Sequence, residues 1–167
     1  MHCSRNQATR PAMTHPALKT CYFEELTLGM RETILKTVMS EDVIGFATLS
    51  GDHNPIHLSD HFAKHTRFGE RIAHGLYTAS LISAVLGMRL PGAGGVYVSQ
   101  TLNFRAPVRI GDVVNVSVEV VEMISLGHRV RLHCECRVDN LVVLDGEALV
   151  VVPSRASAER ARERKED

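Results

Sequence analysis

The chain has 167 residues, of which 44% are hydrophobic, and its 19 basic and 19 acidic residues give a formal net charge of zero. This length and composition suit one domain with a sizeable core. The balanced charge argues against a surface built for nucleic acid or an anionic membrane. Four unevenly spaced cysteines make no disulfide framework, and no apolar run approaches the roughly 20 residues of a membrane span. We therefore expect a cytoplasmic protein.

The two ends of the chain differ in composition from the middle. Residues 1–22 contain basic residues and no acid, which is also typical of organelle transit segments. We favour a disordered leader, or a native start at Met13 instead of Met1, and keep the mitochondrial matrix as the alternative location. Residues 154–167 are rich in Arg, Glu and Lys, and they predict a charged tail that is a frayed helix or disordered. The domain is therefore expected to span residues 23–153.

The first elements of the domain lead into a turn. Glu32–Met39 has strand character, and Ser40 is a good N-cap for a helix whose first turn is acidic. This helix must end at Gly51, because Pro55 lies just beyond it and restricts the residue before it. The segment Asp52–His57 is therefore predicted to be a structured turn.

An apolar helix and a run of strands follow. Gly75–Met88 is apolar on nearly every side, so we predict a helix that must be enclosed. Four predicted strands can enclose it: Val96–Phe104, Val113–Met123, Val130–Val138 and Leu141–Val152. Short turns between them imply an antiparallel sheet with one buried face. A sheet curled around one apolar helix is the hot-dog architecture, of the α+β class.

The predicted turn carries the strongest candidates for chemistry. Asp52 and His57 are five residues apart, so the turn can bring both side chains to one small site. A carboxylate and an imidazole can together hold a water, take a proton from it and return a proton elsewhere. The alternative is that Asp52 merely ends a helix and His57 is a partly buried polar residue.

Three segments together resemble one known family. They are Phe46–His57, with the pattern aromatic, small, Leu, Ser/Thr, Gly, Asp, x, Asn, Pro, aliphatic, His; then Phe68–Gly75; and then Ser99–Val108, followed by Gly111-Asp112. All three match landmarks of the MaoC-like hydratases, also called the hydratase 2 family, in the expected order. The resemblance covers about Phe23–Pro153.

The resemblance implies roles for individual residues. Asp52 and His57 match the catalytic pair that orients the attacking water and moves its protons. Gly75 matches the residue whose backbone N–H polarises the thioester carbonyl, a role that suits a helix N-terminus. Ser83 matches a serine beside the site that orients the pair or lines the acyl pocket. Gly75 as a close-packed helix start, and Ser83 bonded to a carbonyl one turn back, are the alternatives.

Further residues are assigned to substrate binding or to its support. Asn54 is expected to brace the turn. The acyl pocket is placed between the central helix and the sheet, near Ser83, Leu86 and Val150, with Leu86 either the floor of the pocket or a plain core residue. His74 is interpreted as a packing or backbone-bonding residue and not as a third acid or base.

Two features of the sequence resemble ligand-binding motifs, but we expect neither of them to bind a ligand. His53, His57, His61 and His65 recur every four residues, but Pro55 prevents the continuous helix that would align them, so no metal site is predicted. The loop Pro91–Gly95 is rich in glycine, but it follows a helix and precedes a strand, which is the wrong order for a nucleotide-binding turn. No cofactor is expected.

Arg105 and Arg109 could meet the phosphates of coenzyme A, or they could be solvated charges at the edge of the sheet. Arg105 lies within the third family landmark, and Arg109 directly follows it.

The activity that the resemblance implies is (R)-specific enoyl-CoA hydration, the reversible syn addition of water to a trans-2-enoyl-CoA thioester. Polyhydroxyalkanoate precursor supply, fatty acid oxidation and fatty acid synthesis are all open as pathways. The alternatives are a 3-hydroxyacyl-[acyl carrier protein] dehydratase, a hot-dog thioesterase and a non-catalytic acyl-CoA-binding protein. A homodimer is the minimum assembly expected, because one protomer encloses a long apolar helix poorly.

Overall fold

The structure, a computed structural model, describes residues 19–166. Its elements are a 3₁₀ turn at Phe23–Glu25, β1 (Arg31–Thr37), α1 (Ser40–Ser50), α2 (Pro55–Leu58), α3 (Asp60–Lys64), α4 (Gly75–Met88), β2 (Val96–Gln100), β3 (Asn103–Phe104), β4 (Val113–Ile124), β5 (Arg129–Val138), β6 (Leu141–Val151) and α5 (Arg155–Glu166). Among the helices of these residues, none is long and apolar enough to cross a membrane.

The strands form one antiparallel sheet in the order β1-β4-β5-β6-β2, and β3 also pairs with β6. The prediction of a single strand over Val96–Phe104 was wrong, because a register shift between Tyr97 and Ser99 and a break before Asn103 divide it. The break lies where the Thr101 carbonyl crosses Gly146, at which a Cβ would stand 1.9 Å from the carbonyl oxygen. Only glycine allows that approach.

The core lies between α4 and the inner face of the sheet. In β5 the residues that alternate inward, Val130, Leu132, Cys134 and Cys136, are fully buried, as predicted. Helix α4 buries Tyr77, Thr78, Leu81, Ile82, Val85 and Leu86. The antiparallel sheet with its packed apolar helix confirms the hot-dog fold.

A single chain does not enclose α4. Leu76 is 60% exposed and Met88 is 42% exposed, and Ser83 also lies on the outward face. The expectation that the helix must be surrounded therefore fails for one protomer, because the sheet covers only one side of it.

Two local predictions around α1 need correction. Met39, not Ser40, is the N-cap, and the Asp42 carboxylate accepts a hydrogen bond from the Met39 N–H at 2.9 Å. The helix ends as predicted at Gly51, whose φ of 78° is in the left-handed region that favours glycine. The segment after it is not only a turn, since Pro55 begins the short helix α2.

The predicted terminal segments are described in part. Thr20 forms a bridge with Gly92, and Cys21 is buried, so the end of the predicted leader packs on the domain. The rest of the leader, including Met1 and Met13, lies outside the described residues. Residues of the predicted charged tail form α5.

Candidate active site

Asp52 lies in the reversal between α1 and α2. Its backbone N–H donates to the Ser50 hydroxyl at 3.2 Å, and its carboxylate accepts the Asn54 N–H at 3.2 Å. The Asn54 side chain in turn accepts from the Ile56 N–H and caps α2. These local bonds hold the Asp52 carboxylate in a defined position while leaving it exposed to solvent.

His57 is held by one hydrogen bond that also determines its tautomer. Its Nδ1 lies 2.8 Å from the Ile72 carbonyl oxygen. Because a carbonyl can only accept, Nδ1 carries the proton in the neutral ring, and Nε2 keeps a free lone pair. The ring is 9% exposed. His57 is therefore oriented to accept a proton at Nε2.

His74 lies between the two candidate catalytic residues. Its Nε2–H donates to the backbone carbonyl of Asp52 at 3.0 Å, and its ring stacks on that of His57. In the neutral ring the same bond leaves Nδ1 without a proton, and this buried nitrogen has no hydrogen-bond partner among the described residues. The interpretation of His74 as a backbone-bonding residue is confirmed, and the structure adds the contact with His57.

One short segment therefore binds both candidate catalytic residues. The carbonyl of Ile72 accepts from His57, and the side chain of His74 donates to Asp52. Between them, the Ala73 N–H donates to the Val108 carbonyl at 2.8 Å, which attaches the segment to the chain that follows β3. We call Ile72–His74 the anchoring segment.

Gly75 follows the anchoring segment and begins α4. Its N–H has no acceptor within its own helix, as is usual in a first turn, and none among the described residues. A Cβ at this position would stand 2.8 Å from Phe104 Cε1. The aromatic ring thus lies directly against the glycine, and a side chain here would displace it.

Two hollows meet at Gly75 and Phe104. The first, of about 400 Å³, is the catalytic hollow and is lined by Phe46, Ser50, Asp52, His57, His74, Gly75, Leu76 and Phe104. The second, of about 250 Å³, passes between the start of α4 and β6, and its lining includes Thr78, Phe104 and Leu144. A ligand carbonyl held at Gly75 would have space on both sides.

The structure brings together only some of the residues assigned from sequence. Asp52, His57 and Gly75 line one hollow. Asn54 caps α2, as its predicted bracing role required. Ser83 is exposed on the outward face of α4.

The other two assigned residues are part of the core. Leu86 and Val150 are 4% and 2% exposed, and in the described chain neither lines the two hollows at the start of α4. Leu86 follows Gly75 by 11 residues, which places it about three helical turns further along.

Sequence reasoning did not assign Phe104 or Ile72 to the site. Phe104 belongs to the third family landmark, and an aromatic residue beside a predicted strand end was the available signal. Ile72 contacts His57 through its backbone carbonyl, and every residue type has this group, so the sequence does not indicate the contact.

Aromatic and charged side chains pack next to the catalytic hollow. The Phe46 ring contacts His74, with centroids 5.0 Å apart, and Tyr77 at 6.0 Å. Burial, together with the negative charge of Asp42, raises the pKa of Tyr77 to about 12. Burial opposes ionisation of Asp42, but hydrogen bonds from Lys36 and Met39 outweigh it, so the pKa of Asp42 is lowered.

The arginines at the rim are engaged in ion pairs. Arg105 pairs with Asp145 at 2.7 Å, and Arg109 pairs with Glu70 at 2.6 Å. Hydrogen bonds from Arg105 and Asn103 lower the pKa of Asp145. Both arginines are exposed and paired with a carboxylate, and Arg105 also lines the second hollow, so a contact with the phosphates of coenzyme A stays a prediction.

One group of side chains has the composition of a metal site. Ligand atoms of Asp52, His57 and His74 all lie within 4.8 Å of one another. Of the four-residue histidine repeat, His57 alone belongs to this group, because α2 and α3 are separate helices and the repeat is not aligned on one of them. His61 and His65 face each other on the surface, and His65 Nδ1 bonds to the His61 carbonyl.

The fold and the site define a class of protein: a hot-dog domain with a carboxylate and an oriented imidazole at the N-terminus of its central helix. Residues 24–138 match the family model described as the MaoC like domain. The chain belongs to this family, which confirms the resemblance.

Known relatives span nearly the same length. The chain is 63% identical over 144 residues to 3-hydroxybutyryl-CoA dehydratase of Methylorubrum extorquens, covering 86% of this chain and 92% of that protein. It is 46% identical over 134 residues to (R)-specific enoyl-CoA hydratase of Rhodospirillum rubrum, covering 80% and 93%. A solved structure of R-hydratase PhaJ1 from Pseudomonas aeruginosa superposes with a TM-score of 0.78 at 38% identity, covering 81% and 88%.

Proposed function

We propose that this protein is an (R)-specific enoyl-CoA hydratase that adds water reversibly to a trans-2-enoyl-CoA thioester. The observation that carries the proposal is the position of the Asp52 carboxylate and the His57 Nε2 lone pair beside the free N–H of Gly75. The names of the relatives in Methylorubrum and Rhodospirillum support the same chemistry.

Each of these groups has a step to perform. A water held between Asp52 and His57 attacks C3 of the enoyl group, and His57 Nε2 takes one of its protons. The negative charge that moves to the thioester oxygen is stabilised by the Gly75 N–H and the positive end of α4. The proton is then delivered to C2 from the same side, which completes a syn addition without a cofactor.

A carrier-protein substrate is the second candidate, because the chain is also 35% identical to a mitochondrial 3-hydroxyacyl-[acyl-carrier-protein] dehydratase of Arabidopsis thaliana. Comparing kcat/KM for the same enoyl group on coenzyme A and on a carrier protein decides between them. A thioesterase would release a free thiol, whereas hydration preserves the thioester.

The direct test follows the loss of absorbance of crotonyl-CoA, with chiral analysis of the product and a thiol assay in parallel. We expect (R)-3-hydroxybutyryl-CoA and no thiol. Asp52→Asn and His57→Gln should each lower kcat by about 100-fold or more. His61→Gln, an exposed histidine on α3, is the matched control and should retain wild-type activity. A wild-type rate in either active-site variant would refute the catalytic role of that residue, and release of thiol would refute the proposed reaction.

We also propose a homodimer, supported by the exposed apolar surface of one protomer. Edge strand β2 exposes Val96, Tyr97 and Val98 at 60%, 41% and 48%, and an apolar edge left open invites pairing. The outward face of α4 adds Leu76 and Met88. Light scattering after gel filtration should give twice the mass of the chain, and Val98→Lys should shift the protein toward the monomer. A monomeric wild-type protein at micromolar concentration would exclude this assembly.

A further inference from the structure

We propose that His74 is a positioning residue for the catalytic pair, acting through the backbone carbonyl of Asp52. This inference rests on the proposed function, since it assigns a further role within the same site.

The first support is the hydrogen bond itself. Asp52 lies in an exposed reversal whose other bonds are all local, between residues 50 and 54. The bond from His74 Nε2 to the Asp52 carbonyl, at 3.0 Å, joins this reversal to the start of α4. The bonds of Ile56 and His57 to Ile72 attach the chain four and five residues further on, whereas this bond attaches Asp52 itself.

The second support is the contact with His57. The two rings stack with centroids 3.8 Å apart, so the side chain that holds Asp52 also limits the movement of the His57 ring. One buried residue thereby locates both partners of the proton transfer, and small displacements of such groups cost large factors in rate.

The third support is the unpaired nitrogen. His74 is 2% exposed, and its Nδ1 has no partner among the described residues. A buried acceptor without a partner lowers stability, and proteins tolerate such groups mainly at functional sites. Packing alone would not require a side chain that buries an unpaired Nδ1. The bond to Asp52, in contrast, requires the imidazole Nε2–H.

The decisive comparison is between His74→Gln and His74→Met. The two side chains have the same length, but only glutamine can donate to the Asp52 carbonyl. We expect His74→Met to lower kcat for crotonyl-CoA about 30- to 100-fold with KM within about 3-fold of wild type, and His74→Gln to stay within about 5-fold in kcat. Melting temperatures should fall similarly in both variants, because both lose the ring.

A kcat of His74→Met above a third of the wild-type value, or equal losses in both variants, would overturn the proposal. If His74→Met does not fold, His74→Phe replaces it, because it keeps an aromatic ring against His57 and also lacks the donor. An inactive wild-type protein would overturn the proposed function and this inference together. An active wild type with a fully active His74→Met would overturn this inference alone.

Discussion

The imidazole rings of His57 and His74 stack with their centroids 3.8 Å apart and their planes 29° from parallel. A metal ion bound by two imidazoles must lie close to the plane of each ring, along its nitrogen lone pair. Stacked rings that are nearly parallel do not direct their lone pairs at one point. The Asp52–His57–His74 group therefore has the donor types of a metal site but not the geometry.

We accordingly predict that activity does not depend on a metal. Dialysis against EDTA should leave kcat for crotonyl-CoA within about twofold of the untreated enzyme, and elemental analysis should find less than stoichiometric zinc. Loss of activity that is restored by one equivalent of Zn²⁺ would contradict the prediction.

Gly75→Ala should impair catalysis through a steric effect. The new methyl group would meet Phe104 Cε1 at 2.8 Å, so either the aromatic ring or the N–H of residue 75 must shift. Because a displaced oxyanion donor is costly, we expect kcat/KM to fall about 10- to 100-fold. Gly45→Ala is the control: it lies within α1, has no atom within 4 Å of the added Cβ, and should add about 0.5 to 1 kcal/mol of stability. Equal activity in both variants would mean that the Phe104 ring moves aside and the N–H of residue 75 keeps its position, which would contradict the predicted steric effect.

Leu86→Ala tests whether the acyl chain extends along α4. The assignment of Leu86 to the floor of the acyl pocket predicts that the kcat/KM ratio for eight-carbon over four-carbon enoyl-CoA rises, because the truncation would open space beyond the two hollows that Leu86 does not line. The free energy of unfolding should also fall by about 2 to 5 kcal/mol, since Leu86 is 4% exposed. Leu26→Ala, at 5% exposed and outside α4, should lower stability without changing the ratio. An unchanged ratio in Leu86→Ala would make Leu86 a core residue only.

The ion pair at the start of α1 predicts a pH-dependent effect on stability. The Asp42 carboxylate bonds to Lys36 at 2.8 Å, and its pKa is lowered in the folded protein. The contribution of Asp42 to the free energy of unfolding is therefore complete above its unfolded pKa of about 3.9. It is lost as the pH falls through the lower pKa of the folded protein. Asp42→Asn should cost about 1 kcal/mol at pH 7 and progressively less below pH 4. Glu41→Gln, exposed in the same turn, should show a smaller cost, and a pH-independent effect in Asp42→Asn would contradict the assignment.

The strands and the central helix could be predicted from the sequence where they depend on a local pattern. The alternation in β5 identified Val130, Leu132, Cys134 and Cys136 as inward-facing, and the limits of α4 coincide with the apolar run Gly75–Met88. The break between β2 and β3 could not be predicted, because it depends on Gly146, which is 45 residues away from Thr101 along the chain.

The candidate site could be predicted only in part. The residue types and spacing of Asp52 and His57 allowed both a catalytic and a structural interpretation, and the family resemblance decided between them. The tautomer of His57 depends on the Ile72 carbonyl, and backbone groups carry no residue-specific signal. The stacking of His74 on His57 likewise depends on α2 meeting the residue that precedes α4.

The anchoring segment Ile72–His74 and the adjoining Gly75 contain, in four consecutive residues, the carbonyl that bonds His57, the side chain that bonds Asp52 and the first N–H of α4. Their mutual distances therefore depend on one short stretch of backbone and very little on the curvature of the sheet. We therefore expect substitutions at Val143 and Leu144 of β6, which line the second hollow, to reshape the proposed space for the acyl chain while the reacting groups keep their spacing. On the proposed function, substrate range and rate constant should then be separable properties of this domain, so that the first can be redesigned without rebuilding the second.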